Sequence, residues 1–293
     1  MTVFSGGEAI KDFLKELDSW LSESVDVYLL GGSAMTIQGL KDQTEDIDLA
    51  LGVVDEFEHI FQTLQERGFD IVEEPTDSFE GVGTTVEMHH SGRELQIDLF
   101  ERQVVGKIWI TERISDRAEP FWSGTQGTAF VLSDEDMFLL KAVSGGDLAS
   151  GRRRDIEDMR MYAQRGLDYE TIITEIEQQR PFNEGSTEAK QIRERSHPLF
   201  TIELAMTSLT GLPDSFTNRI SSFATEFEVE YFVLGAVDDG IHSVEAIQQR
   251  VLSNVQSLSV DETRAVADAI DRLVQKQILT RDGTTVRLSF VFS

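Results

Sequence analysis

The sequence predicts an α+β protein, a mixed sheet with flanking helices followed by a longer helical region. Three observations carry that prediction. An apolar run, Val25 to Leu30, and a run alternating polar and apolar residues, Asp46 to Leu51, both have strand length and strand pattern. Thr84 to Met88 and Glu94 to Phe100 form a second pair, joined as a hairpin across His89-His90-Ser91-Gly92-Arg93. Segments with apolar residues at helical spacing lie between these strands and dominate after Asp168.

Length and composition narrow the classes. At 293 residues the chain is long enough for two domains. It contains no cysteine, which excludes disulfides and thiolate metal sites and favours an intracellular, cytoplasmic address. No apolar run reaches the length of a membrane span and no basic-plus-apolar leader opens the sequence, so neither a membrane association nor a secretory signal is expected. The net charge is −27, with seven lysines against nineteen arginines. The strand segments stay apolar at alternate positions, so the chain reads as globular rather than as a disordered acidic segment. Such an acidic, lysine-poor composition resembles that of halophilic proteins from salt-accumulating haloarchaea, where salt screens the self-repulsion. On that reading the charge is an adaptation to solvent; at moderate ionic strength it would instead repel nucleic acid.

In chain order, Glu8 to Leu21 is an amphipathic helix through Ile10, Phe13, Leu14, Leu17 and Leu21, placed to cover one face of the sheet. The first strand stops at Gly31-Gly32. Ser33 caps a short helix whose Met35, Ile37 and Leu40 pack inward. On the strand that follows, Asp46 and Asp48 point to one face and Ile47 and Leu49 to the other. Two carboxylates held side by side repel each other unless a cation sits between them. Oxygen ligands on a rigid strand suit Mg²⁺ (or Mn²⁺), which takes one or two carboxylates and completes its shell with substrate phosphates. The glycine turn lets a triphosphate approach the backbone, and the helix start after it favours negative charge. The unit reads as a metal–nucleotide site; the plainer alternative is a βαβ corner with two solvated aspartates.

Leu30-Gly31-Gly32-Ser33, twelve residues, then Asp46-Ile47-Asp48-Leu49 resembles the signature of the DNA polymerase β-type nucleotidyltransferase superfamily. That resemblance implies a polymerase β-like core. Its Gly-Gly-Ser turn (Gly31, Gly32, Ser33) would hold the triphosphate of an NTP, and Asp46 and Asp48 would hold two metal ions. Lys41 and Thr44 match the basic residue and hydroxyl often found just before the aspartate pair. A third carboxylate on a later strand completes the family's site.

Beyond the aspartate strand, Asp55 caps a helix to Arg67 with Phe57, Ile60, Phe61 and Leu64 inward, and Gly68 ends it. Phe69 to Val72 is a strand, and Glu73 to Gly83 an acidic loop. In Leu95-Gln96-Ile97-Asp98-Leu99 the alternation buries Leu95, Ile97 and Leu99 and turns Asp98 to the opposite face. Aspartate is poorly suited to a strand, so something should compensate it. By the resemblance, Asp98 is the third carboxylate, a metal ligand and the base toward an attacking hydroxyl; the alternative is an exposed aspartate on an edge strand. His89 and His90 point to opposite faces and cannot chelate one metal together, so a solvated turn is expected there.

Residues 101 to 127 are read as strand pieces and loops, and Thr128 to Leu132 as a short strand. Ser133 caps a helix with Glu135 and Asp136 in its first turn, and Lys141 lies on it. Gly151-Arg152-Arg153-Arg154-Asp155-Ile156-Glu157-Asp158-Met159 opens the next helix. This order resembles the tract that follows the core in abortive-infection-type nucleotidyltransferase toxins. It implies that Lys141 neutralises the triphosphate and that Asp155 or Asp158 orients it or a basic partner. The arginines would meet phosphate or an RNA acceptor; the alternative is surface pairing of Arg153 with Glu157 and Arg154 with Asp158.

Thr171 to Gln179 is helical, and Arg180-Pro181-Phe182-Asn183 interrupts it. Glu184 to Glu194 is polar and marks the expected domain boundary. Ser196-His197-Pro198 starts a helix running to about Leu209, and another spans Asp214 to Phe223. Helices follow over Glu226 to Val237, from Ser243 through Val251, and over Val260 to Gln277. Asp282-Gly283 then joins two short strands. Three helices and a hairpin resemble a winged helix. Its third helix carries Asp261, Glu262, Asp268 and Asp271 against Arg264, Arg272 and Lys276, so DNA is not expected and a protein partner or a homodimer is.

The expected organisation is a catalytic core over 1–132, a helical extension over 133–182, a helical linker over 183–225 and a winged-helix-like domain over 226–293. The expected activity is transfer of an NMP from an NTP to a hydroxyl acceptor, a protein side chain or a tRNA end, in a setting such as toxin–antitoxin or defence. The rival expectation is a non-catalytic regulator or antitoxin acting through its C-terminal domain.

Overall fold

The computed structural model describes residues 3–73, 85–104, 108–145, 153–179, 202, 205–206, 208–254, 262–275 and 278–289. Two compact units divide the chain: Met1–Ser144 with Arg152–Asp168, and Gly145–Gly151 with Tyr169–Ser293. Residues 74–83 of the loop expected over Glu73 to Gly83, the polar boundary at Glu184 to Glu194 and the helix start at Ser196 lie outside the described residues.

The first unit is α+β. Its elements are β1 (Phe4–Ser5), α1 (Gly6–Trp20), β2 (Val25–Leu29), α2 (Gly31–Ile37), β3 (Gln43–Thr44) and β4 (Asp46–Leu51). Then come α3 (Val54–Glu66), β5 (Asp70–Glu73), β6 (Thr85–His90), β7 (Leu95–Glu101), β8 (Gln103–Val104) and β9 (Ile108–Trp109). It closes with α4 (Glu112–Arg117), β10 (Glu119–Ser123), β11 (Gly127–Val131), α5 (Asp134–Gly145) and α6 (Arg153–Ala163). A mixed seven-stranded sheet runs β10-β11-β2-β4-β7-β6-β5. Its β11–β2 and β4–β7 pairs are parallel and the rest antiparallel.

Register makes the sheet two-faced. Ile47, Ile97 and Met88 stand abreast across β4, β7 and β6, as do Leu49, Leu99 and Val86, and all six are buried. One residue along, on the other face, Asp46, Gln96 and His89 line up, followed by Asp48, Asp98 and Glu87. Helix α3 turns Phe57, Ile60 and Leu64 inward and packs on β4 and β7. Helix α1 packs on α2 and β11, and its Asp18 accepts from the Thr125, Gln126 and Gly127 amides at 3.0, 2.7 and 2.7 Å, clasping the β10–β11 turn. Those donors hold the Asp18 carboxyl below its usual range against the opposing pull of burial.

The structure departs from the sequence reading in local detail. Strand β6 continues to His90, so the hairpin turn shortens to residues 91–94. Within the stretch read as strand pieces and loops, α4 forms, and Thr111 accepts from the Ile114 amide at 3.3 Å to cap it. Strand β10 then forms one edge of the sheet.

The second unit contains α7 (Tyr169–Gln178), α8 (Asp214–Asp238), α9 (Val244–Leu252), α10 (Glu262–Gln275), β12 (Leu279–Asp282) and β13 (Thr285–Leu288). The two helices expected over Asp214 to Phe223 and Glu226 to Val237 are one: Ala224 and Thr225 continue the backbone without a breaker. Its first half meets α7 through Phe216 against Tyr169, ring centroids 4.6 Å apart. Its second half joins α9, α10 and the hairpin in a core of Val233, Ile247, Val266, Ile270, Leu273 and Val286.

Leu99→Ala, at the buried centre of the sheet, is expected to cost about 2–5 kcal/mol of unfolding free energy. Urea unfolding of the full chain in high salt checks this.

Candidate metal centre

The candidate centre follows from the β4–β7 register. Asp48 and Asp98 are direct neighbours on the two parallel strands, and Asp46 lies two residues along on the same face. All three are half-buried, and one carboxylate oxygen from each lies within 4.8 Å of the others. Among the described residues this is the group able to hold a metal ion. Asp98, read either as a site residue or as an edge aspartate, sits on an interior strand beside Asp48.

Of the residues read as nucleotide contacts, Gly31, Gly32, Ser33 and Thr44 sit against these carboxylates or their strand. Gly31 has φ +51°, and a Cβ there would collide with the Asp48 carboxylate. The Gly32 amide donates to Asp48, and a Cβ on Gly32 would strike Thr44 Oγ1. Thr44 is buried and donates from Oγ1 to Asp46 Oδ1 at 2.8 Å. Its strand, β3, is held in place by pairing with β1. Ser33 was expected to cap a helix, but α2 already begins at Gly31 without a side-chain cap. Ser33 Oγ instead accepts from the Asp48 amide at 3.2 Å and donates to the Asp46 carbonyl at 3.4 Å, fastening α2 to β4. Gln96 Nε2 donates to Asp98 Oδ1 at 3.3 Å.

Charge shapes the centre further. Burial, then the Asp46 and Asp98 charges, push the Asp48 carboxyl up to about 7. The Lys141 charge and the Gly32 amide offset part of that rise. Lys141 Nζ lies 2.8 Å from Asp155 Oδ1 and 3.0 Å from Asp158 Oδ2, and Lys41 Nζ reaches the same Asp158 oxygen at 2.9 Å. Burial works to lower the Lys141 ammonium, but the Asp155 and Asp158 charges outweigh it and hold it above its usual range, so it stays charged. The alternative Arg154–Asp158 pairing gives way to this network, in which Asp158 holds Lys41 and Lys141, and the Arg152 and Arg153 side chains lie outside what is described. Tyr162, also on α6, donates to Gln38 Oε1 at 2.7 Å and anchors that helix beside α2.

Sequence reasoning offered Asp155 or Asp158 as the holder of a basic partner but did not foresee that Asp158 joins Lys41 to Lys141. It also missed Gln96. The available signal for Gln96 was period-two alternation, which puts residue 96 on the face of residue 98. For Asp158 it was spacing, since residues three apart share a helix face with Asp155. His90 meets Phe69 edge-on at 5.1 Å between ring centroids.

The donor set fits a hard divalent cation. Three carboxylates offer oxygen ligands, and a cation would relieve the repulsion that drives the Asp48 carboxyl upward.

Two outcomes follow from this geometry. In the metal-free chain Asp48 keeps a proton that the unfolded chain, with an ordinary carboxyl near pH 4, has lost. Its contribution to stability therefore falls as pH rises from there toward 7, and Asp48→Asn should flatten that part of the melting-temperature profile. Gly31→Ala should displace the Asp48 carboxylate and weaken Mn²⁺ binding, read by titration beside a melting curve. Neither a protein-family model nor a curated protein matches the chain.

Proposed function

We propose that the protein is a metal-dependent nucleotidyltransferase that moves an NMP from an NTP to a hydroxyl acceptor and releases pyrophosphate. The observation that carries the proposal is the convergence of Asp46, Asp48 and Asp98 on one point of a mixed sheet, with the Gly31-Gly32-Ser33 turn packed directly behind Asp48. A plain structural subunit would gain nothing from three neighbouring carboxylates.

Asp46, Asp48 and Asp98 would hold Mg²⁺ or Mn²⁺. Bound there, the metal would act as a Lewis acid and neutralise charge on the phosphates. Thr44 fixes one oxygen of Asp46, and Ser33 fixes the backbone between the two β4 aspartates. Asp98 accepts the proton of the acceptor hydroxyl as its oxygen bonds to the α-phosphorus and the bond to pyrophosphate breaks. Lys141 and Lys41, held by Asp155 and Asp158, are the nearby cations for the triphosphate. The acceptor class remains a protein side chain or a tRNA end. The C-terminal helices and hairpin fit a winged-helix-like module for a protein partner or a second copy. A halophilic, cytoplasmic setting and a toxin–antitoxin or defence role belong to the same proposal.

The test is label transfer. Purified protein in molar KCl with Mg²⁺ or Mn²⁺ receives each α-labelled NTP in turn, with host lysate as the acceptor source. The proposal expects label on a protein or RNA band, lost in Asp48→Ala. Label that persists in a clean Asp46→Ala, Asp48→Ala double variant would overturn it.

A further inference from the structure

We propose that Gln96 sets the metal preference of the centre, by orienting Asp98 and by keeping the fourth position around the carboxylates neutral. The inference rests on the metal reading of Asp46, Asp48 and Asp98.

Pairing of β4 with β7 sets Asp46 opposite Gln96 and Asp48 opposite Asp98. Strand alternation turns all four side chains to one face, where all four are half-buried. The result is a square of three carboxylates and one amide. Gln96 Nε2 donates along one edge to Asp98 Oδ1 at 3.3 Å. That contact reduces the freedom of the Asp98 carboxylate. It gives Asp98 an orienting partner, as Thr44 is for Asp46 and Gly32 for Asp48.

The neutrality of residue 96 matters as much as its donor. Mg²⁺ and Mn²⁺ suit an octahedral shell that keeps positions for water and substrate oxygens, whereas Ca²⁺ takes more oxygen ligands and tolerates irregular, carboxylate-rich cages. With an amide in the fourth corner, the protein supplies three anionic ligands and leaves the rest of the shell to the nucleotide. A carboxylate there would close the site around the ion and make binding less dependent on nucleotide. Gln96 is thus a positioning and selectivity residue. The oriented Asp98 and the open shell are two effects of one side chain, and substitutions at residue 96 separate them.

The experiment titrates Mn²⁺ into the full-length protein in high salt, following loss of the free-ion paramagnetic signal, with and without an NTP, and then competes with Ca²⁺. Gln96→Glu has the same shape but cannot donate when ionised. It is expected to tighten Mn²⁺ binding without nucleotide and to let Ca²⁺ compete more effectively. Gln96→Leu removes the donor without adding charge, and should weaken Mn²⁺ binding about ten-fold or more, as loss of an outer partner of a metal ligand does. Melting curves run beside both variants, because a merely structural role would lower stability without moving the two affinities in opposite directions. Wild-type affinity in both variants, or a shift of the same sign in both, would overturn the inference alone. A wild-type chain that takes up no Mn²⁺, with or without an NTP, would overturn the metal reading and the inference with it.

Discussion

Repulsion between carboxylates is the constraint that the local structure is built to contain. Parallel pairing of β4 with β7 sets Asp48 against Asp98, and alternation adds Asp46 to the same face. Aspartate weakens a strand, and like charges side by side weaken it further. The opposite face compensates, because Ile47, Leu49, Ile97 and Leu99 are all fully buried there. On the polar face each carboxylate has a partner that fixes it: Thr44 for Asp46, the Gly32 amide for Asp48 and Gln96 for Asp98. The glycine pair makes this possible, since side chains at residues 31 and 32 would occupy the space that Asp48 and Thr44 fill.

The lysines follow the same logic at a second level. Lys41 and Lys141 come from different parts of the chain and meet on Asp158. Asp155 holds Lys141 from the same helix, one turn away. The Lys141 charge therefore stands near the carboxylate group without depending on it, and it tempers the rise of the Asp48 carboxyl. In a chain with a net charge of −27, surface acids are common and carry little meaning one by one. Buried or half-buried acids with named cationic or amide partners are different, because salt screens them far less.

Much of this was legible in the sequence, and the reasons are specific. The aspartates could be read because a two-residue period fixes which face each occupies, whatever the exact strand ends. The mixed sheet could be read because strand-like runs alternate with amphipathic segments in the first half. The role of Ser33 could not, since a serine after a glycine turn signals a cap and nothing local shows that the helix starts earlier. Helix α8 was divided in two because its apolar stripe changes partners midway, from α7 to the α9–α10 core, and the periodicity falters where it does. Asp158 could be read as the holder of a basic partner, but its joining of Lys41 to Lys141 could not, because those lysines lie 117 and 17 residues away. Long-range ion pairs leave no local pattern.

The proposed role of Asp46, Asp48 and Asp98 is to hold a metal ion together. Anomalous diffraction from a crystal grown in high salt with Mn²⁺ and a non-hydrolysable NTP tests it most directly. The expected result is a manganese peak bonded to oxygens of these three carboxylates, with phosphate oxygens completing its shell beside the Gly31-Gly32 turn. A structure with the nucleotide bound elsewhere, or with the three carboxylates metal-free at saturating Mn²⁺, would contradict it.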